Sequence, residues 1–408
     1  MKRLAAAIIV TGLLVGSQPA WPQVGSATLN TAGLYLVPSF KVSESFDDNI
    51  FGSSINRQSD FISRFSPGLQ GGYSSAPFTL LLSGGFEADV FARHSELNDP
   101  ITGWNAGANL SYLPIRRLTL GANMSYTETK SLQALTQTVT DLTLANPLNP
   151  ANVVQQGRQE TTFLSASSSA AYQFTPLTTG NSSISYFHST QQGGFSNTSY
   201  AAQVGVSHQF SLRDTGTLAD IQNIFESPGS PTTYTNAPTL GWTRQLTRLT
   251  TLSVQAGPQF SSRGGVNAYA NASFTYEYKL ADRVVRALVA YTHSQGFVVG
   301  QSGPTTTDTV SSSIAVEPFR SLQLTVGTTY SKFAATSSST TLASTATGTT
   351  SSTTTHGVTA GATYQILRWL TARANYSYYH QEQNPGGTIP HNIVLIGLDF
   401  SYPIRADR

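Results

Sequence analysis

The sequence predicts an all-β fold, a transmembrane antiparallel β-barrel of about eighteen strands (roughly 16 to 18), with short periplasmic turns and long extracellular loops. Three observations carry that expectation. Apolar side chains recur at every second position along most of the chain, and the breaks in this alternation are short and long in turn. Charged residues make up only 11% of the 408 residues, yet beyond the N-terminus no apolar run approaches the ~20 residues that a membrane helix needs.

The elements follow in chain order. MKRLAAAIIVTGLLVG places Lys2 and Arg3 ahead of an apolar core at 4–15, too short to span a bilayer and suited to a secretory signal. Residues 1–23 are therefore expected to be a signal peptide, cleaved within 17–23, and residues 24–408 to form the barrel. After residue 33 the strand period takes over. Leu118, Leu120, Ala122, Met124 and Tyr126 alternate with Thr119, Gly121, Asn123 and Ser125; Val394, Ile396, Leu398, Phe400 and Tyr402 alternate with Leu395, Gly397, Asp399 and Ser401. One face of each strand is apolar and the other is mostly small or polar.

Short breaks fall at 74–77, 114–117, 175–177, 212–215, 246–248, 280–283, 318–321 and 367–369. Long connections alternate with them at 47–59, 93–100, 131–158, 191–198, 227–233, 261–265, 294–306, 334–355 and 381–390. That asymmetry belongs to outer-membrane barrels, and an even strand count leaves both termini in the periplasm. Residues 217–225 alternate poorly, which leaves the count open by about two. A soluble sandwich would also alternate, but aromatic placement separates the two. Tyr112, Tyr126, Tyr172, Phe174, Phe210, Tyr276, Tyr278, Tyr330, Tyr364, Tyr376, Tyr378 and Tyr402 lie near strand ends on the apolar parity, where girdles meet headgroups.

This orientation has a direct test. The Ser/Thr-rich run 334–355 lacks periodicity and charge and reads as an external loop. A protease site inserted after Ser344 should be cut on intact cells, and one in the 280–283 turn only after the outer membrane is broken. The reverse pattern would invert the orientation.

Enzyme chemistry finds no support. No phosphate-binding loop, dinucleotide fingerprint or His-Glu-x-x-His is present, and the seven histidines are dispersed. The absence of cysteine removes disulfides and thiolate metal sites, and a net charge of +2 without a basic block gives no nucleic-acid partner. Asp47, Asp48 and Asn49 offer too few oxygens for a calcium site and read as a solvated loop. No cofactor or metal is expected.

What remains is the lumen. The polar parity offers neutral hydroxyls and amides, among them Ser165, Ser167, Gln203, Ser311, Thr325 and Thr359. Charges of the same parity cluster on adjoining strands once the last strand pairs with the first: Lys41, Arg64, Glu87, Asp89, Arg373 and Asp399. The expected lining is one mixed-charge wall facing a hydroxyl-rich one, with weak ion selectivity. The connection 131–158 is expected to fold inward as a constriction, because Leu132, Leu135, Val139 and Leu142 recur at helical spacing and Pro147 and Pro150 would end the helix. Asp141 and Arg158 are its only charged residues, and Asp141 would reach the constriction.

The segment FKVSESFDDNIFGSSINRQSDFISRFSPGLQGGY, residues 40–73, resembles the opening hairpin of the β-barrel porin 2 family of bacterial outer-membrane proteins. The run Phe46-Asp47-Asp48-Asn49-Ile50-Phe51 and the pieces Ser59-Asp60-Phe61 and Ser66-Pro67-Gly68-Leu69 carry the resemblance. It implies an outer-membrane barrel, in some members associated with exopolysaccharide. Residues and resemblance together predict a porin-like channel in the bacterial outer membrane, embedded in lipid and passing small hydrophilic solutes or saccharide material. The rival expectations are an exopolysaccharide export barrel working with a periplasmic machine and a closed structural or adhesive barrel.

Overall fold

The computed structural model describes residues 33–130, 160–192, 195–263, 265–280, 283–296, 305–335, 352–384 and 387–405. The expected signal peptide at 1–23 lies outside them, as does every residue of the expected constriction.

Among the described residues the strands are β1 (Gly33–Asp47), β2 (Asp60–Ser74), β3 (Phe78–Phe91), β4 (Asp99–Ile115), β5 (Leu118–Thr129), β6 (Thr161–Thr175), β7 (Thr178–Gln191), β8 (Phe195–Gln209) and β9 (Asp214–Ser227). The second half contributes β10 (Ser230–Gln245), β11 (Thr250–Ser261), β12 (Gly265–Leu280), β13 (Arg283–Gly296), β14 (Thr305–Phe319), β15 (Leu322–Ala335), β16 (Ser352–Leu367), β17 (Leu370–Asn384) and β18 (Gly387–Ser401). Each pairs antiparallel with the next, and β1 closes the cylinder against β18 from Ser39↔Ser401 to Asp47↔Ile393. A short β19 (Ile404–Arg405) extends this closure by pairing with Tyr35 and Leu36. Closure leaves no long strand with an unpaired edge, the condition for placing a sheet in hydrocarbon.

Followed around the wall, the registers return to β1 displaced by about 22 residues, which for this strand number gives a tilt of roughly 40° and a backbone radius of about 18 Å.

The apolar parity faces outward. Phe65, Leu69, Leu82, Met124, Ile184, Val204, Leu240, Ile314, Val326 and Ile396 are all exposed, whereas residues of the other parity, such as Arg64, Ser311, Thr353 and Leu395, are buried. A soluble sandwich would bury its greasy face; this wall presents it to the surroundings, as a membrane barrel must. Exposed aromatics form two belts, one near the short turns (Tyr112, Phe174, Phe210, Tyr278, Tyr364, Tyr402) and one near the opposite ends (Tyr200, Tyr234, Phe260, Tyr330). Trp104, Trp242 and Trp369 join the belts although the sequence reading passed over them. Trp104 lies with its ring centroid 4.2 Å from that of Tyr126.

Seven of the eight expected short turns lie among the described residues, at the ends of β2, β4, β6, β8, β10, β14 and β16, and Leu280 pairs with Arg283 on either side of the eighth. Local hydroxyls build two of them. Ser211 Oγ accepts the N–H groups of Arg213 and Asp214, and Thr247 Oγ1 accepts those of Leu249 and Thr250. The break at 114–117 is the tight turn Arg116–Arg117, with Ile115 paired to Leu118. The long connections are less uniform than expected. At 191–198, 227–233, 261–265 and 381–390 the flanking strands continue into the expected connection, with Gln191 paired to Phe195, Ser227 to Ser230, Ser261 to Gly265 and Gln383 to Gly387. Gly229 and Gly387 take left-handed φ values of 77° and 96° at two of these reversals, where a side chain would be strained. Residues 217–225, despite weak alternation, lie within β9 and keep the strand count even.

Candidate functional site

Lys41, Arg64, Glu87, Asp89, Arg373 and Asp399 stand on β1, β2, β3, β17 and β18, on the parity opposite the exposed apolar one. Arg64 is directly opposite Asp89 in register and binds it in bidentate fashion, Nε to Oδ1 at 2.6 Å and Nη2 to Oδ2 at 2.9 Å. Its Nη1 lies 3.4 Å from Glu87 Oε2. Across the β17–β18 seam Arg373 Nε is 3.4 Å from Asp399 Oδ1, and across the closing β1–β18 seam Lys41 is opposite Asp399. Gly397 makes this possible: a Cβ there would sit 3.1 Å from Arg373 Nε and 3.0 Å from Ser43 Cβ. Three cations and three carboxylates therefore share one patch. The pairs also pin the registers of β2–β3 and β17–β18, because each closes across a strand seam.

The structure adds a second inward set that the sequence reading did not identify. Near the short turns, Arg286 of β13 lies between Glu277 of β12, at 3.8 Å, and Glu317 of β14, at 3.2 Å. These strands stand on the far side from β1–β3, so the expected hydroxyl-rich wall carries charges at that end. Elsewhere it is neutral and hydroxyl-rich, with Thr309 Oγ1 3.1 Å from Ser331 Oγ.

The first loop closes over this wall. Residues 47–49, expected to be solvated, are instead held against β18, with Asp47 and Asn49 buried. Asn49 is fully enclosed; its Nδ2 donates to Ser53 O and Pro390 O, and its Oδ1 accepts the Ser53 N–H. Asp47 Oδ1 accepts the Asn49 N–H and lies 2.6 Å from His391 Nε2. Asp48 accepts both the backbone and side-chain N–H groups of Asn392 and meets Arg57 at 3.3 Å. Ile50 then packs on Ile62 and Phe91, with Phe51 and Leu97 around them.

A neighbouring knot ties in the 3-10 turn at Ser95–Leu97. Asp60 accepts the N–H groups of Phe61, Arg93 and His94, and lies 2.8 Å from His94 Nδ1. The ligand atoms of Asp47, Asp48 and His391 lie within 4.8 Å of one another, close enough for a cation. Hydrogen bonds already engage their oxygens, so the trio works as a clasp on the loop. Lys130, just beyond β5, is 2.9 Å from Asp99, whose hydrogen bond raises the lysine pKa above its ordinary value.

No family model and no curated protein matches the sequence. Among solved structures, the chain resembles OccAB4 of Acinetobacter baumannii at 9% identity and a TM-score of 0.47, over 92% of this chain and 99% of that one. It resembles OpdQ of Pseudomonas aeruginosa at 11% identity and 0.45, over 91% and 98%. The siderophore receptor PirA of Pseudomonas aeruginosa gives 10% and 0.44, over 91% and 81%. These distant likenesses say nothing about cargo.

Proposed function

We propose that the protein is a porin-like channel of the bacterial outer membrane for small hydrophilic solutes or saccharide material. The observation that carries this reading is the inner wall: a cylinder of about 18 Å backbone radius lined by hydroxyls, amides and balanced charges. Hydroxyl and amide side chains exchange hydrogen bonds with neutral sugars without trapping ions. The charges of the mixed wall cancel, so neither ion sign is filtered.

In planar bilayers the purified protein should give discrete conductance steps, a reversal potential near zero in a salt gradient and partial block by added oligosaccharides. An electrically silent, correctly folded barrel would overturn the channel reading and favour the closed one. Strong selectivity would overturn the account of the charged wall.

A further inference from the structure

The outer surface carries a polar patch in a place where lipid tails are expected. On β9 and β10, Asp220, Gln222 and Asn236 occupy the apolar parity, the face that bears Leu218, Tyr234, Leu240 and Trp242. Asn236 Nδ2 donates to both Asp220 oxygens, at 2.8 and 3.0 Å, and Gln222 Nε2 donates to Oδ2 at 2.9 Å. By register Asp220 lies between Val204 of β8 and Pro238 of β10, within the belt-to-belt band. A carboxylate and two amides facing hydrocarbon are costly, and two hydrogen-bond donors satisfy the carboxylate only in part.

The wall is also weakened there. Ser262 N–H donates to Tyr234 O, so every second pair along the β10–β11 seam exchanges backbone hydrogen bonds, and Pro238 opposite Pro258 falls on such a pair. Neither proline has an N–H, and the regular pairing lapses between Asn236↔Phe260 and Leu240↔Ala256. Two ladder bonds are missing at one level, in a medium that cannot replace them.

We propose that the outer face of β9–β11 binds a second copy of this chain about a two-fold axis. The hydrogen-bonding chemistry selects that occupant. Asp220 and the side-chain carbonyl oxygens of Gln222 and Asn236 are acceptors, and Gln222 Nε2 carries a second N–H beyond the one given to Asp220, so one patch offers donors and acceptors together. A surface carrying both is complementary to itself, which an isologous contact requires. The surrounding relief suits close approach. Pro238, Pro258 and Ala256 keep the centre low, a groove lined by Gln222, Ile224, Tyr234, Asn236 and Phe260 runs beside it, and Leu240, Val204 and Leu218, at 71, 64 and 61% exposed, stand around it. Such a rim would exclude lipid from the amides and splint the weakened seam.

The chain has no cysteine, which makes the test direct. Under oxidising conditions in outer membranes, Gln222→Cys should yield a disulfide-linked dimer of this chain, and Val326→Cys, on the outward face of β15, should not. A monomeric Gln222→Cys, an adduct with a different protein, or equal cross-linking at both positions would overturn the proposal. In a second experiment the Asp220→Leu/Gln222→Leu/Asn236→Leu variant, which presents lipid with apolar side chains, should remain a heat-modifiable folded barrel with its dimer fraction reduced at least tenfold. An undiminished dimer would also overturn it.

Discussion

Replacing Arg64 by leucine is expected to destabilise the barrel by about 3–5 kcal/mol, a larger effect than any exposed charge would give. The guanidinium is 2% exposed and its partner Asp89 is 1% exposed, so the pair is shielded from water on the inner wall. Without Arg64, Asp89 loses a bidentate partner at 2.6 and 2.9 Å, and Glu87 loses a cation 3.4 Å away. The cost is that of leaving a buried charge uncompensated, and removing both partners should therefore restore most of it. Urea unfolding of the refolded barrel in vesicles reads both variants. An Arg64→Leu protein as stable as its parent, or an Arg64→Leu/Asp89→Leu protein losing the sum of the two single effects, would show that the pair is energetically idle. In the proposed channel the single variant should also shift the reversal potential toward cations, because the patch then holds two cations, Lys41 and Arg373, against three carboxylates, Glu87, Asp89 and Asp399.

The barrel was legible in the sequence because a two-residue period, unlike a tertiary contact, is a local signal. Leu118 to Tyr126 shows its two faces without any knowledge of what lies beside it. The same reasoning explains where legibility fails. Near Thr198 and Ser230 the strands pass beyond the aromatic belt, both faces become polar, and a continuing strand looks like a long loop. Residues 217–225 blur for another reason: Asp220 and Gln222 occupy outward positions, so the face that should be greasy is not. The clustering of the inward charges could be expected only because closure was assumed, and closure does bring Lys41 opposite Asp399. The clasp on the first loop depends on the same closure but also on side-chain placement. Asn49 reaches Pro390 from 341 residues away, and nothing in the Asp47-Asp48-Asn49 run itself distinguishes burial from hydration.

Val326→Arg and Thr325→Arg, one residue apart on β15, should have opposite consequences. Val326 is 52% exposed on the outward face, below the belt residue Tyr330 and beside Ile314 and Ala360 in the adjoining strands. An arginine there must hold its guanidinium in hydrocarbon or bend toward an interface, and near the middle of the wall this costs about 2–4 kcal/mol. Thr325 points the other way, with its Oγ1 2.8 Å from where a Cβ on Gly361 would sit. An arginine at 325 extends into the lumen, keeps its hydration and should change stability by no more than about 0.5 kcal/mol. It should instead move the reversal potential of the proposed channel toward anions, since it adds a cation to a largely neutral stretch of wall. Folding yield into vesicles and urea midpoints give the first comparison, and bilayer recordings the second. Because a strand slipped by one residue exchanges its faces, a greater loss at 325 than at 326 would invert the assigned sides of β15, and equal losses would mean that its outer face does not meet lipid.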